Sequence, residues 1–174
     1  MTTLERPTHA LSVDDVVAVA AEHADAVDRD ARFPAESVEA MRAAGLLSAS
    51  IPASLGGGGY SLTDLARVAR ALGGACASTA MIFAMHHTQV LSLSRHGLSS
   101  PAVADLLRRI VSEQLLVASA TTEINIGGDV RTSGCAVELD GDRYRLTKNA
   151  PVISYGEYAD VVLVTARRSV DSAP

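Results

Sequence analysis

The chain has no tryptophan, two phenylalanines, two cysteines and a single lysine, Lys148, among 174 residues. With so little lysine and a formal net charge of -5, it lacks the basic footprint that a phosphate backbone requires, so no nucleic acid partner is expected. Cys76 and Cys135 lie in segments of different character, which argues against a disulfide framework. The longest apolar runs, such as Ala80 to Ala84, fall far short of the roughly 20 residues that cross a bilayer. The opening "MTTLERPTHALSVDD" has no basic region followed by an apolar core, as a secretory signal would. No membrane partner is expected, and the reduced cytoplasm is the expected location.

What is present is alanine-rich and 48% hydrophobic, the composition of a soluble globular chain of packed helices, long enough for about one domain. From Ser12, the residues Val13, Val16, Val17, Ala20, Ala24 and Val27 recur at helical spacing. Ser12 and Asp15 supply the cap and the acidic first turn, and the helix is expected to end near Arg32. A second helix starts with Pro34 in its first position, carries Val38 and Met41 inward, and closes at Gly45. A third follows Ser61, with Asp64 in its first turn, and stops at Gly73-Gly74. The fourth, "CASTAMIFAMHHTQVLSLSRHG", is apolar almost all round and reads as buried by its neighbours. Ser100-Pro101 opens a fifth, "PAVADLLRRIVSEQ".

Beyond Leu115 the period changes. "LLVASATT" is a short apolar run, "GCAVELDGDRYRLTKN" alternates about Asp140-Gly141 as a hairpin does, and "ADVVLVTARR" has the composition of a buried strand. Helices first and strands after predict an α+β fold: an N-terminal helical bundle, residues 1–114, then a partial antiparallel β-domain, residues 115–174.

Three stretches invite chemistry. "SLGGGGY" has the glycines that let amides approach an anion, yet it lacks the Lys-Ser/Thr of a phosphate loop, and a flexible connection into the third helix is the stronger expectation. His86 and His87 are about 100° apart on a helix and cannot share one metal, so no metal is expected; one is expected to face a cavity while the other packs or reaches solvent. "TTEINIGGDV", Thr121 to Val130, combines hydroxyls and carboxylates with a glycine pair. Thr122 offers a hydroxyl and an amide, and Gly127 and Gly128 allow close backbone approach, which suits the polar edge of a flavin and its diphosphate. A polar turn that only satisfies its own backbone accounts for the same composition.

"TEINIGGD", Thr122 to Asp129, resembles the Thr-Glu-Pro-x-Ala-Gly-Ser-Asp signature of the acyl-CoA dehydrogenase family. "FPAESVEAMRAAGLLSASIPASLGGGGYSLTDLARVARALG" is similar to that family's N-terminal helical domain, and "DGDRYRLTKNAPVISYGEYADVVLVTAR" resembles its middle β-domain. The likeness covers nearly the whole chain after Ser12, in the family's order. It implies FAD as cofactor and acyl-CoA or a related acyl thioester as substrate, in a homo-oligomer or with a partner carrying a C-terminal helical domain. Thr122 would hydrogen-bond the pyrimidine edge of the flavin, with the backbone of Ser119, Ala120 and Thr121 along the ring. Val152, Ile153 and Ser154 would lie on the flavin side, the Ser154 hydroxyl donating toward N5. Gly127 and Gly128 would approach the diphosphate and the thioester end, and Met85, His86 and Gly128 would face the substrate.

Three positions depart from the pattern: Val152 where many members have tryptophan, Ile124 for the proline, and Gly128 for a serine that contacts the ligand. The family's catalytic carboxylate belongs to the third domain, so no residue here is expected to serve as base, and Glu123 and Asp129 take turn-holding roles. The implied reaction is α,β-desaturation of an acyl thioester. A flavin-dependent monooxygenase on the same fold, or a non-catalytic subunit of a heteromeric complex, are the alternatives.

Overall fold

The computed structural model describes residues 11–124, 126, 129 and 132–173. Five helices come first: α1 (Val13–Arg29), α2 (Ala35–Ala43), α3 (Leu62–Ala75), α4 (Ala77–His96) and α5 (Pro101–Glu113). Four short strands follow: β1 (Val117–Ala120), β2 (Glu138–Asp140), β3 (Arg143–Arg145) and β4 (Val161–Val164). The chain divides into two compact units, one ending at Leu116 and one beginning at Val117.

Local chemistry sets the helix ends. Ser12 Oγ accepts from the Asp15 amide while the Asp15 carboxylate accepts from the Ser12 amide, and Ser61 and Asp64 repeat the arrangement at the start of α3. Each reciprocal pair satisfies amides that the first turn leaves without partners. Pro34 stands one residue earlier than expected, as the cap of α2. Gly45 follows in the left-handed region at φ 70. The third helix runs past Gly73-Gly74 to Ala75, and Cys76, extended at φ -146, both ends α3 and begins α4. The helical period of the apolar residues continues through the two glycines, and one extended residue is enough to turn the chain.

The core of this unit is apolar and spread over all five helices: Val16, Met41, Leu47, Leu72, Phe83, Leu107 and Ile110 are among its fully buried side chains. Each such side chain contributes roughly 1.5–3 kcal/mol by leaving water. None of the helices among the described residues is long and apolar enough to cross a membrane.

The strand unit holds two pairs. β2 and β3 form the expected antiparallel hairpin, Leu139 opposite Tyr144, closing on Gly141 at φ 66. Its strands lie open to solvent, with Leu139 74% and Tyr144 78% exposed. β1 pairs with β4 in parallel, Val117 with Val161 through Ala120 with Val164. The expectation of purely antiparallel pairing is therefore corrected, while the α+β class stands. Chain between the two runs carries the hairpin and returns to the same end of β1, and that crossover makes a parallel pair possible. β1 is the buried strand, and on β4 Val162 and Val164 face outward.

Candidate functional site

Where β1 ends, residues 122–124 run beside residues 148–152 in the opposite sense, tied at three points. The Thr122 hydroxyl donates to the Val152 carbonyl at 2.9 Å, the Lys148 ammonium donates to Glu123 Oε1 at 2.7 Å, and the Ile124 amide donates to the Asn149 carbonyl at 3.0 Å. Beyond them Tyr155, left-handed at φ 45, donates its hydroxyl to the Val117 carbonyl at 3.0 Å. Burial pushes the Tyr155 phenol up to about 12, so the hydroxyl stays a donor.

These ties bring together most of what the sequence assigned to a cofactor. Ser119 and Thr121 are half-buried and Ala120 is buried on or just beyond β1, while Thr122 and Ser154 are exposed. Val152 is 66% exposed and Ile153 37%. The result is a ledge of outward hydroxyls and apolar side chains bound to a strand end. Because the Thr122 proton is committed to Val152, its lone pairs remain to accept a hydrogen bond. That acceptor fits the N–H at the polar edge of a flavin, and Val152 and Ile153 offer apolar surface to a planar ring. Gly127 and Gly128 lie outside the described residues.

Beneath the ledge is a feature the motif alone did not reveal. Glu123 and Lys148 form an ion pair with side chains only 5% and 6% exposed. Glu123 Oε1 also accepts from the Ser133 hydroxyl at 2.8 Å and the Cys135 amide at 3.2 Å, and Oε2 accepts from the Gly134 amide at 2.6 Å. The three ammonium protons of Lys148 meet three oxygens: Glu123 Oε1, the Thr165 carbonyl at 2.9 Å and Thr165 Oγ1 at 3.2 Å. Hydrogen bonding from Cys135, then Lys148 and the Gly134 amide, holds the Glu123 carboxyl far below the usual carboxylate range. Glu123 is thus a fixed anion that pins the turn, in keeping with its exclusion as a base. The signal in the sequence was Lys148 itself, the only lysine of a chain otherwise furnished with arginine. A compact ammonium with three separately aimed donors fits this nest where a planar guanidinium does not.

In the helical unit, His86 Nε2–H donates to the Leu47 carbonyl at 2.7 Å and His87 Nε2–H to the Leu46 carbonyl at 2.9 Å, while Ser50 donates to His87 Nδ1 at 2.9 Å. Burial lowers His86 to about 4, and burial with the neighbouring His86 lowers His87 to about 3. Both rings are neutral at ordinary pH. The His86 ring, expected to face the substrate, is fully buried and holds a backbone carbonyl. His87, not His86, lines a pocket of about 180 Å³ between α3 and α4, with Leu62, Leu65, Ala66, Ala69, Phe83, Ala84, Thr88 and Leu91. Met85 is half-buried on α4 and does not line this pocket.

The glycine loop is neither a phosphate cradle nor a flexible link. The amides of Gly56, Gly57, Gly58, Gly59 and Tyr60 donate to the carbonyls of Ala53, Pro52, Ser48, Ile51 and Ala49, which leaves none of the five for an anion. A Cβ on Gly57 would sit 2.3 Å from the Ile51 carbonyl oxygen, so close approach of the backbone explains that glycine. Among the described residues no group of three or more His, Cys, Asp and Glu side chains could hold a metal ion.

Residues 10–120 match the model of the acyl-CoA dehydrogenase N-terminal domain. The chain is 31% identical over 142 residues to cyclohex-1-ene-1-carbonyl-CoA dehydrogenase of Syntrophus aciditrophicus, covering 80% of this chain and 34% of that protein. It is 31% identical over 153 residues to the amino sugar nitrososynthase DnmZ of Streptomyces peucetius, covering 84% of this chain and 36% of that one. Among solved structures, KijD3 in complex with FMN and dTDP-3-amino-2,3,6-trideoxy-4-keto-3-methyl-D-glucose superposes with a TM-score of 0.71 at 28% identity, over 88% of this chain and 37% of that one. The chain thus spans about a third of the length of the curated relatives it matches.

Proposed function

Because this chain belongs to the acyl-CoA dehydrogenase family, we propose that it is the flavin-edge portion of an oxidoreductase that desaturates an acyl thioester between its α and β carbons. In this reading residues 1–114 are the helical domain and residues 115–174 part of the middle β-domain. The observation that carries it is the bond from Thr122 to the Val152 carbonyl, which joins the two segments assigned to the flavin into one ledge. A flavin bound there supplies a two-electron acceptor for the β-hydride.

The chain's own residues position and shield. Thr122 accepts at the pyrimidine edge, the backbone of Ser119, Ala120 and Thr121 lines the ring, and the Ser154 hydroxyl donates toward the reacting side. Val152 and Ile153 exclude water from the ring face. Gly127 and Gly128 are assigned to the diphosphate and thioester by the family likeness alone. The α-proton acceptor is assigned to none of these residues: Glu123, locked against Lys148, is too weak a base. The working enzyme is a homo-oligomer or a complex whose other parts provide that base.

A second reading keeps the ledge and replaces desaturation with oxygen transfer. It is favoured by the likeness to an amino sugar nitrososynthase and to KijD3 bound to FMN and a dTDP-amino sugar. The two separate in one experiment on the full-length protein. Desaturation predicts anaerobic, acyl-CoA-dependent reduction of an artificial electron acceptor. Oxygen transfer predicts oxygen consumption driven by reduced flavin and raised by an amino sugar nucleotide, with no turnover of thioesters.

The ledge has its own test. Ser154→Ala should lower flavin retention or shift the flavin potential with apo melting unchanged. Thr122→Ala should do the same while costing the fold about 1 kcal/mol for its lost hydrogen bond. Loss of apo stability by both variants, with flavin retention intact, would assign the two hydroxyls to the turn alone.

A further inference from the structure

Below the ledge, Glu123, Ile124, Gly134, Cys135, Thr147 and Asn149 line a pocket of about 190 Å³. At its wall Cys135 Sγ lies 3.9 Å from Lys148 Nζ and 3.2 Å from Ser133 Oγ. Cys135 is half-buried and among the residues that line the pocket, whereas the lysine side chain is only 6% exposed. A small oxidant therefore meets the sulfur first, and the amine waits behind it, hidden from larger reagents. Glu123 Oε1, 2.7 Å from Nζ, holds the lysine nitrogen beside the sulfur.

We propose that Cys135 and Lys148 are a reversible redox pair, in which hydrogen peroxide oxidises the thiol and the lysine amine then closes a sulfur–nitrogen bond. In the first step the thiol sulfur attacks one peroxide oxygen. The O–O bond breaks, the S–O bond of a sulfenic acid forms, and the other oxygen leaves as water; sulfur loses two electrons and peroxide gains them. In the second step the Lys148 ammonium releases one proton to solvent, and its nitrogen attacks the sulfenic sulfur. The S–O bond breaks, and the hydroxyl leaves as water with a second proton from nitrogen. Sulfenic acids condense with nitrogen in this way when one is held beside them. A thiol reductant reverses the link, returning the cysteine thiol and the ammonium.

The consequence is local. The oxidised pair exchanges an ion pair for a covalent tie between residues 133–135 and 147–149, under the turn that carries Thr122. Glu123 keeps its hydrogen bonds from Ser133, Gly134 and the Cys135 amide.

The test is to treat the full chain with hydrogen peroxide and map its tryptic peptides. The account expects a mass about 2 Da below that of the reduced protein, loss of cleavage after Lys148, one joined peptide containing Cys135 and Lys148, and restoration of all three by dithiothreitol. Cys135→Ser, which leaves the Glu123–Lys148 ion pair in place, should abolish the joined peptide. Cys76→Ser should not. Cys135 oxidised to sulfinic acid with normal cleavage after Lys148, a disulfide between Cys135 and Cys76, or a thiol that survives peroxide would each overturn the proposal.

Discussion

The helical unit and the strand unit bury polar groups in opposite ways. In the helices the buried imidazoles are neutral, each held by a backbone carbonyl, within an apolar core spread over five elements. In the strand unit the buried polar pair is fully charged, and the turn from β1 to the ledge hangs on it. A distributed apolar core tolerates the loss of any one contact, because each contact is a small part of the whole. A turn pinned by one ion pair does not, because removing either partner strands a charge. The ledge therefore leans on one charged pair among its ties, and the helical core on no such pair.

The largest expected effect breaks that pair. Lys148→Met should destabilise the strand unit more than any other single change, since Glu123 loses its counter-charge and keeps only the hydrogen bonds from Ser133, Gly134 and Cys135. Amide exchange should show lost protection in β1 and β4 with α3 and α4 unchanged. The companion Glu123→Gln, Lys148→Met double variant should recover part of the loss. Equal loss of protection in both units would dissolve the contrast.

Acid should weaken the helical unit first. His86 and His87 are lowered to about 4 and about 3 in the fold, whereas an unfolded histidine titrates near 6.5. Between those values the unfolded chain binds protons that the fold does not, so the stabilisation is complete above about 6.5 and declines as pH falls toward 4 and 3. At pH 4.5 the helical unit should have lost roughly 2–3 kcal/mol per ring. Glu123, shifted downward, keeps its contribution until pH falls below its ordinary range near 4.5. Denaturant melts at pH 7 and 4.5, followed by helical circular dichroism, check this. A flat profile would mean that the rings are charged or exposed.

A smaller effect sharpens the role of the glycine loop. Gly57→Ala should cost the helical unit about 1–3 kcal/mol, because its Cβ meets the Ile51 carbonyl at 2.3 Å. Gly74→Ala, with open space around the added carbon in the last turn of α3, should stabilise by up to about 1 kcal/mol. Thermal melts of the two variants should move in opposite directions.

What the sequence disclosed was short in range. Ser12 with Asp15, Ser61 with Asp64, and the turn at Gly141 each act over a few residues, and the residue types that make them are legible in a line of text. The Glu123–Lys148 pair joins residues 25 apart, and the β1–β4 register joins residues 44 apart, so neither leaves a local pattern. The parallel sense of β1 and β4 depended on where the chain between them returned, which no alternation of side chains encodes. His86 and His87 looked equivalent in sequence. Only the carbonyls of Leu46 and Leu47, forty residues away, decide that His87 and not His86 reaches the pocket. The hydroxyls of Thr122 and Ser154 were visible as candidates through the family likeness, while the bond that places Thr122 beside Val152 was not.

The central claim is that the ledge at the end of β1 meets a flavin. Titrating FMN and FAD into the isotopically labelled chain, and following its amide resonances, tests it most directly. The account predicts saturable shifts at Ser119, Ala120, Thr121 and Thr122 and at Ile153 and Ser154, weakened by Thr122→Ala, with the residues lining the α3–α4 pocket unmoved. Shifts confined to Leu62, Leu65, His87 and Leu91, or no saturable shift at the ledge with either flavin, would contradict it.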